Sequence, residues 1–219
     1  MPCTYLRSAN FGILYTMKII HQQYIVKKGK LAESEEIKEI QREIAAAVKA
    51  IVWPENRDGF YLNPGSKGKG RGEGNGVKPI KDACITYLKG KGWKEEYRVK
   101  ERKIAGTGPL DAAKETPYGL FAIEWETGNI SSSHRALNKI CLGVLNGELA
   151  GGVLVLPSKE LYPFLTDRIG NYREITPYLP LWESIPYKEG LIFILVVEQD
   201  GFDVNASRIP KGTDGRALL

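Results

Sequence analysis

Residues 191–198 read L-I-F-I-L-V-V-E, apolar without interruption up to the last position. A strand of that kind has no face to offer water, so it belongs inside a sheet covered on both sides. A second run, G-G-V-L-V-L at 151–156, sets the same requirement. Helical patterns flank both. Over 33–52, Ile37, Ile40, Ile44, Val48 and Ile51 recur at spacings of three and four. Glu33, Glu35 and Glu36 crowd the first turn, where the helix dipole favours negative charge, and Pro54 is the stop. Further helices are expected over 81–91 (Cys84, Ile85 and Leu88 inward), 136–147 and 158–167. Residues 57–78 read as loop, and 93–102 as an extended, charged segment. The architecture that accommodates these elements is an α/β fold with a central mixed β-sheet flanked by helices.

A chain of 219 residues can bury a full core without staples, so residues 1–219 are read as a single domain. Residues 1–32 are weakly patterned, with a short strand expected at 11–20. Met17 opens M-K-I-I, which makes 1–16 a dispensable N-terminal extension. Residues 208–219 are polar and form a surface tail. Cys3, Cys84 and Cys141 are widely spaced, with no CxxC, and His21 and His134 are the two histidines. That argues against structural zinc and a disulfide framework, and for a reducing cytoplasm. No apolar run approaches the roughly 20 residues of a membrane span, and no signal-peptide core is present.

The net charge of +5 tilts the expected partner mildly toward a polyanion. Residues 65–76 hold six glycines among Lys67, Lys69, Arg71 and Glu73. Their spacing matches no phosphate-cradling motif, so no nucleotide cofactor is expected. The segment is either an arm that meets phosphates or a solvated loop tip. Residues 175–187, rich in proline and aromatics, read as a surface apolar patch and hence an oligomer contact.

The chemistry concentrates in 107–135. Glu124 and Glu126 alternate with Ile123 and Trp125, and on a strand they share one face, about 7 Å apart. Asp111 joins them if 107–112 and 120–126 form a hairpin, for which Pro117, Tyr118 and Gly119 supply turn chemistry. Acids gathered on a buried face call for a cation, and hard oxygen donors suit Mg²⁺. Solvent-facing acids are the plainer alternative. The turn at 127–129 then leads into a helix begun by Ser131, Ser132 and Ser133, which sets Asn129, Ser131 and Arg135 near its N-terminus. That end suits phosphate, and Asn and Arg suit base edges; ordinary capping is the alternative. Asp167 and Arg168 form either a base-reading pair or a surface ion pair. Two function classes remain from the residues alone: a metal-dependent nuclease, and a DNA-binding module whose acids are structural.

The segments G-N-G-V-K-P-I-K (74–81), G-P-L-D (108–111), E-W-E-T-G-N-I-S-S-S-H-R (124–135), L-T-D-R (165–168) and I-P-K-G-T-D-G (209–215) resemble, in order and spacing, the BamHI-type type II restriction endonucleases. The resemblance implies a restriction-endonuclease-like fold and a homodimer acting on double-stranded DNA in a bacterial restriction-modification system. It implies Mg²⁺-dependent cutting of the palindrome GGATCC after its first G, leaving 5′ GATC overhangs. Mn²⁺ is expected to substitute, and Ca²⁺ to bind without supporting cleavage. By the same resemblance Asp111, Glu124 and Glu96 are metal ligands, Glu126 is the proposed general base, and Lys81 lies near the scissile phosphate. Asn129, Ser131, Arg135, Asp167 and Arg168 read the major groove, and Gly212 and Asp214 reach the minor groove. Against the wider P-D…(D/E)-x-K pattern, Leu110 is inserted after Pro109 and glutamate stands at 126 where lysine is usual.

Overall fold

A computed structural model describes residues 17–68, 73–99, 107–166 and 169–211. In chain order the strands are β1 (Lys18–Lys28), β2 (Tyr61–Leu62), β3 (Lys94–Tyr97), β4 (Leu110–Thr116), β5 (Gly119–Trp125), β6 (Gly151–Pro157), β7 (Gly190–Glu198) and β8 (Gly201–Phe202). The helices are α1 (Lys30–Glu33), α2 (Glu35–Lys49), α3 (Lys78–Lys89), α4 (Ile130–Leu145), α5 (Tyr172–Ile175) and α6 (Leu179–Glu183). Six strands form the main sheet in the order β1-β7-β6-β5-β4-β3. β5, β6 and β7 are mutually parallel, and the outer pairings are antiparallel, so the sheet is mixed as expected.

The two apolar runs are the middle strands, and every residue of β6 is buried. Their side chains alternate between two core clusters, one on each face of the sheet. Val153 and Val155 pack with Ile40, Ile44 and Leu88 of α2 and α3. Leu154 and Leu156 pack with Leu137, Ile140 and Trp182 of α4 and α6. This period of two, with helices on both sides, is what an unbroken apolar strand requires.

Several boundaries differ from expectation. α2 is capped by the Ser34 hydroxyl, which accepts from the Ile37 N–H at 3.3 Å. α3 begins at Lys78 because Pro79 pre-sets the first turn. The loop expected at 57–78 includes β2, which pairs in parallel with β8. The described part of the short N-terminal strand is the beginning of an eleven-residue edge strand, β1, in which only Ile25 is buried. The helix expected over 158–167 is absent from Ser158 to Thr166, where only a 3₁₀ turn, Tyr162–Phe164, forms. Phe164 O accepts from the Asn75 backbone at 2.8 Å, and the Thr166 N–H donates to Asn75 O at 2.9 Å. Those backbone groups are therefore committed to another segment. The patch expected at 175–187 is partly core: Trp182 is 2% exposed, and its indole N–H donates to Asn138 Oδ1 at 2.8 Å. No helix among the described residues is long and apolar enough to cross a membrane.

Candidate active site

The β4–β5 hairpin brings the acids together. Its turn is closed by the Thr116 hydroxyl, which donates to Gly119 O at 2.7 Å. Gly119 takes a φ of +119°, which a side chain would resist. The register Ala112↔Ile123 carries on to set Asp111 across from Glu124. Asp111 Oδ2 accepts from the Trp125 N–H at 2.8 Å, and its Oδ1 accepts from Lys81 Nζ at 3.1 Å. Glu124 and Glu126 are 6% and 3% exposed, so the solvent-facing alternative does not describe them.

Each buried carboxylate is held differently. Glu124 Oε1 accepts from Lys139 Nζ at 2.5 Å, and the same ammonium donates to Pro109 O at 2.7 Å. Glu126 Oε1 accepts from the Gly128 N–H at 2.5 Å, while its Oε2 is buried without a well-formed hydrogen bond. Burial pushes Glu124 up to about 7, aided by Asp111 and opposed by Lys139. Burial likewise pushes Glu126 up to about 7, against the Ser133 hydroxyl and the backbone of Gly128 and Thr127. These acids, with Ser132, Arg135 and Lys139, line a cleft of about 390 Å³.

The donor set tests the expected divalent cation. All the acids offer hard carboxylate oxygens, two of them are buried, and one buried oxygen lacks a well-formed hydrogen bond. That set fits a divalent ion. Among the described residues, no three acid, His or Cys side chains already converge in ligand geometry. Lys81 pairs with Asp111 and Lys139 with Glu124. Glu96 is exposed on β3, outside the cleft lining. The pairs Glu95↔Ala112 and Tyr97↔Leu110 nonetheless set it across from Asp111. It is the one non-glycine residue among those described with a left-handed φ, +49°, a strain that often marks functional positions.

The strand leads directly into α4. Asn129 is its N-cap and accepts from the Ser132 N–H at 3.3 Å, so the capping role is realised. Asn129, Ser131 and Arg135 are nonetheless exposed. The Arg135 guanidinium reaches Ser132 Oγ at 3.3 Å, at the rim of the acid cleft. Asp167, Arg168, Gly212 and Asp214 lie outside the described residues. Sequence reasoning missed Lys139 and Ser133. The available signal for Lys139 was its place one helical turn after Arg135, a lysine set among Leu137, Ile140 and Cys141.

A mixed sheet whose acidic hairpin runs into the N-terminus of a helix is the frame of the restriction-endonuclease-like enzymes. The fold agrees with the crystal structure of restriction endonuclease BglII complexed with a DNA 16-mer, at a TM-score of 0.57 and 10% identity, covering 87% of this chain and 88% of that one. Residues 17–216 match the family described as restriction endonuclease BamHI. The chain is 45% identical to the type II restriction enzyme OkrAI of Oceanobacter kriegii over 202 residues, covering 92% of this chain and all of the relative. It is 33% identical to the type II restriction enzyme BamHI of Bacillus amyloliquefaciens over 205 residues, covering 90% and 92%. The chain belongs to the BamHI family of type II restriction endonucleases, which are site-specific deoxyribonucleases.

Proposed function

We propose that the enzyme cuts double-stranded DNA at GGATCC after the first G, as a homodimer, with Mg²⁺ as its cofactor. The observation that carries this reading is one cleft in which Asp111, Glu124 and Glu126 sit beside Arg135 of the helix that follows. Asp111 and Glu124 hold the ion, with Glu96 contributing from β3. A bound divalent ion supplies an acidified water and neutralises charge at the scissile phosphate. Glu126, with a value about 7, is matched to accept the proton of the attacking water near neutrality. Lys81, tied to Asp111, meets the phosphate that is cut, and Lys139 keeps Glu124 turned into the cleft.

Asn129, Ser131 and Arg135 read bases from the α4 N-terminus, joined by Asp167 and Arg168, while Gly212 and Asp214 follow the minor groove. The dimer forms through α4 and residues 172–183. These adjoin at His134 and Tyr178, whose ring centroids are 4.5 Å apart. On these two elements Leu142, Leu145, Tyr178 and Leu181 are 43%, 46%, 49% and 64% exposed, apolar side chains suited to a second copy.

The test is plasmid digestion with Mg²⁺ and with EDTA, followed by sequencing of the fragment ends. Discrete Mg²⁺-dependent fragments with 5′ GATC overhangs support the reading. Other ends overturn the specificity, and an unbroken plasmid in both conditions overturns cleavage.

A further inference from the structure

Lys139 is a buried lysine, 6% exposed, and both acceptors of its ammonium line the acid cleft. It donates to Glu124 Oε1 at 2.5 Å and to Pro109 O at 2.7 Å. Glu124 belongs to β5, while Pro109 directly precedes β4, two residues before Asp111. One ammonium thus spans the two chain segments that carry the acids assigned to the ion. A lysine that only balanced the charge of Glu124 would need one contact. The second, to a neutral carbonyl, adds position and no charge balance.

The ammonium is delivered by neither segment but by α4. Lys139 stands one helical turn after Arg135, whose side chain lines the same cleft. Farther toward the start of the helix, Asn129 and Ser131 are exposed. Leu137, Ile140 and Val144 seat the helix on the sheet. The turn at 127–129 already joins α4 to β5 through the chain. Lys139 adds the Pro109 side, so both walls of the cleft are tied to this one helix. Breaking the tie would leave two buried charges without partners, which is strongly unfavourable, so the acids follow the helix when it shifts.

We propose that Lys139 is a positioning residue that couples the seating of α4 on DNA to the grip of Asp111 and Glu124 on the divalent ion. A wrong base pair that holds α4 out of place moves the ammonium, and with it the spacing of the two acids. This rests on the reading of Asp111 and Glu124 as ion ligands and of the α4 N-terminus as the DNA-facing end.

Ca²⁺ is the probe, and duplex binding is the readout. Affinity is measured by fluorescence anisotropy at constant ionic strength, from EDTA up to Ca²⁺ concentrations beyond which it no longer changes. Denaturing gels check that the duplex stays whole. By linkage, the limiting tightening equals the ratio of ion affinities with and without the duplex, so it does not depend on how tightly the free protein holds Ca²⁺. Two duplexes are compared: the site that fragment-end sequencing returns, and the same site with one base pair substituted. In the parent, the limiting tightening should be at least about fivefold larger on the cognate duplex. In Lys139→Met, held well below its own Tm, it should agree between the two duplexes to within about twofold. Equal tightening on both duplexes in the parent, or an undiminished difference in K139M, overturns the proposal. A side chain that served stability alone would lower Tm and leave the difference intact. If K139M does not fold, Lys139→Gln keeps an amide donor without the charge and is read in the same way. Glu124→Gln separates the two levels. If E124Q loses the Ca²⁺ effect on both duplexes while K139M keeps the parent's difference, the ion site stands and the role of Lys139 falls. If E124Q tightens as the parent does, Glu124 is not an ion ligand, and the proposal falls with that assignment.

Discussion

Glu126→Gln should make the metal-free protein more stable and the enzyme inactive. Glu126 is 3% exposed and its carboxyl is pushed up to about 7 from 4.5, chiefly by burial. Because the folded-state value is the higher, the folded protein holds this proton after the unfolded chain has released it. The contribution to stability is therefore whole below about 4.5 and is lost as pH rises toward 7 and beyond. The gap corresponds to about 3 kcal/mol once both states are ionised. Glutamine has the same shape, cannot ionise, and still accepts from Gly128 through its oxygen. In EDTA near pH 8, E126Q should gain about 2–3 kcal/mol, or roughly 5–10 °C in Tm for a chain of this length. Near pH 4 the two proteins should melt together, because the native carboxyl is then neutral. Circular dichroism melts at the two pH values decide the matter. Equal Tm near pH 8, or a difference of the same size near pH 4, would refute the argument from charge burial. Plasmid cleavage by E126Q with Mg²⁺ should fall at least about a hundredfold, the scale of a lost general base.

Substitutions at three positions, Glu124, Lys139 and Leu181, have further expected outcomes. Glu124→Ala should abolish cleavage while gel-shift binding of the cognate duplex survives. Lys139→Met should destabilise the protein by about 3–5 kcal/mol in urea titrations, because it leaves Glu124 buried without its ion-pair partner. The double variant E124Q/K139M should recover much of that loss, and simple addition of the two single effects would count against a coupled pair. Leu181→Arg places a charge on the side chain that is 64% exposed beside α4. Analytical ultracentrifugation at micromolar concentration should then show monomer where the parent shows dimer.

What was legible in the sequence was local. The β4–β5 hairpin follows from Pro117, Tyr118 and Gly119 between two strands, and the period of two puts Glu124 and Glu126 on one face. The α2 stripe and the two unbroken apolar strands required helices on both sides of the sheet, and α2 with α3 and α4 with α6 provide them. What escaped depends on partners distant in the chain. β1 has no alternation to reveal it, because an edge strand need not bury a face. The helix misread at 158–167 fails because Asn75, 89 residues from Phe164, takes the backbone groups a helix would use. Lys139 looked like any helical lysine until packing set it against Glu124, 15 residues before it. Trp182 looked like interface and instead fills the core beneath α4.

The Thr116–Gly119 turn has a practical consequence. It lies at the far end of β4 from Asp111, roughly 17 Å away at the rise of an antiparallel strand. Tyr118 at its tip is 44% exposed, while Cys84 and Cys141 are 0% and 2% exposed. With Cys3 changed to serine, a cysteine installed at 118 would be the thiol that a maleimide dye reaches in the native protein. Were two copies to pair as proposed, energy transfer between two such dyes would serve as a spectroscopic ruler between them, placed away from the acid cleft.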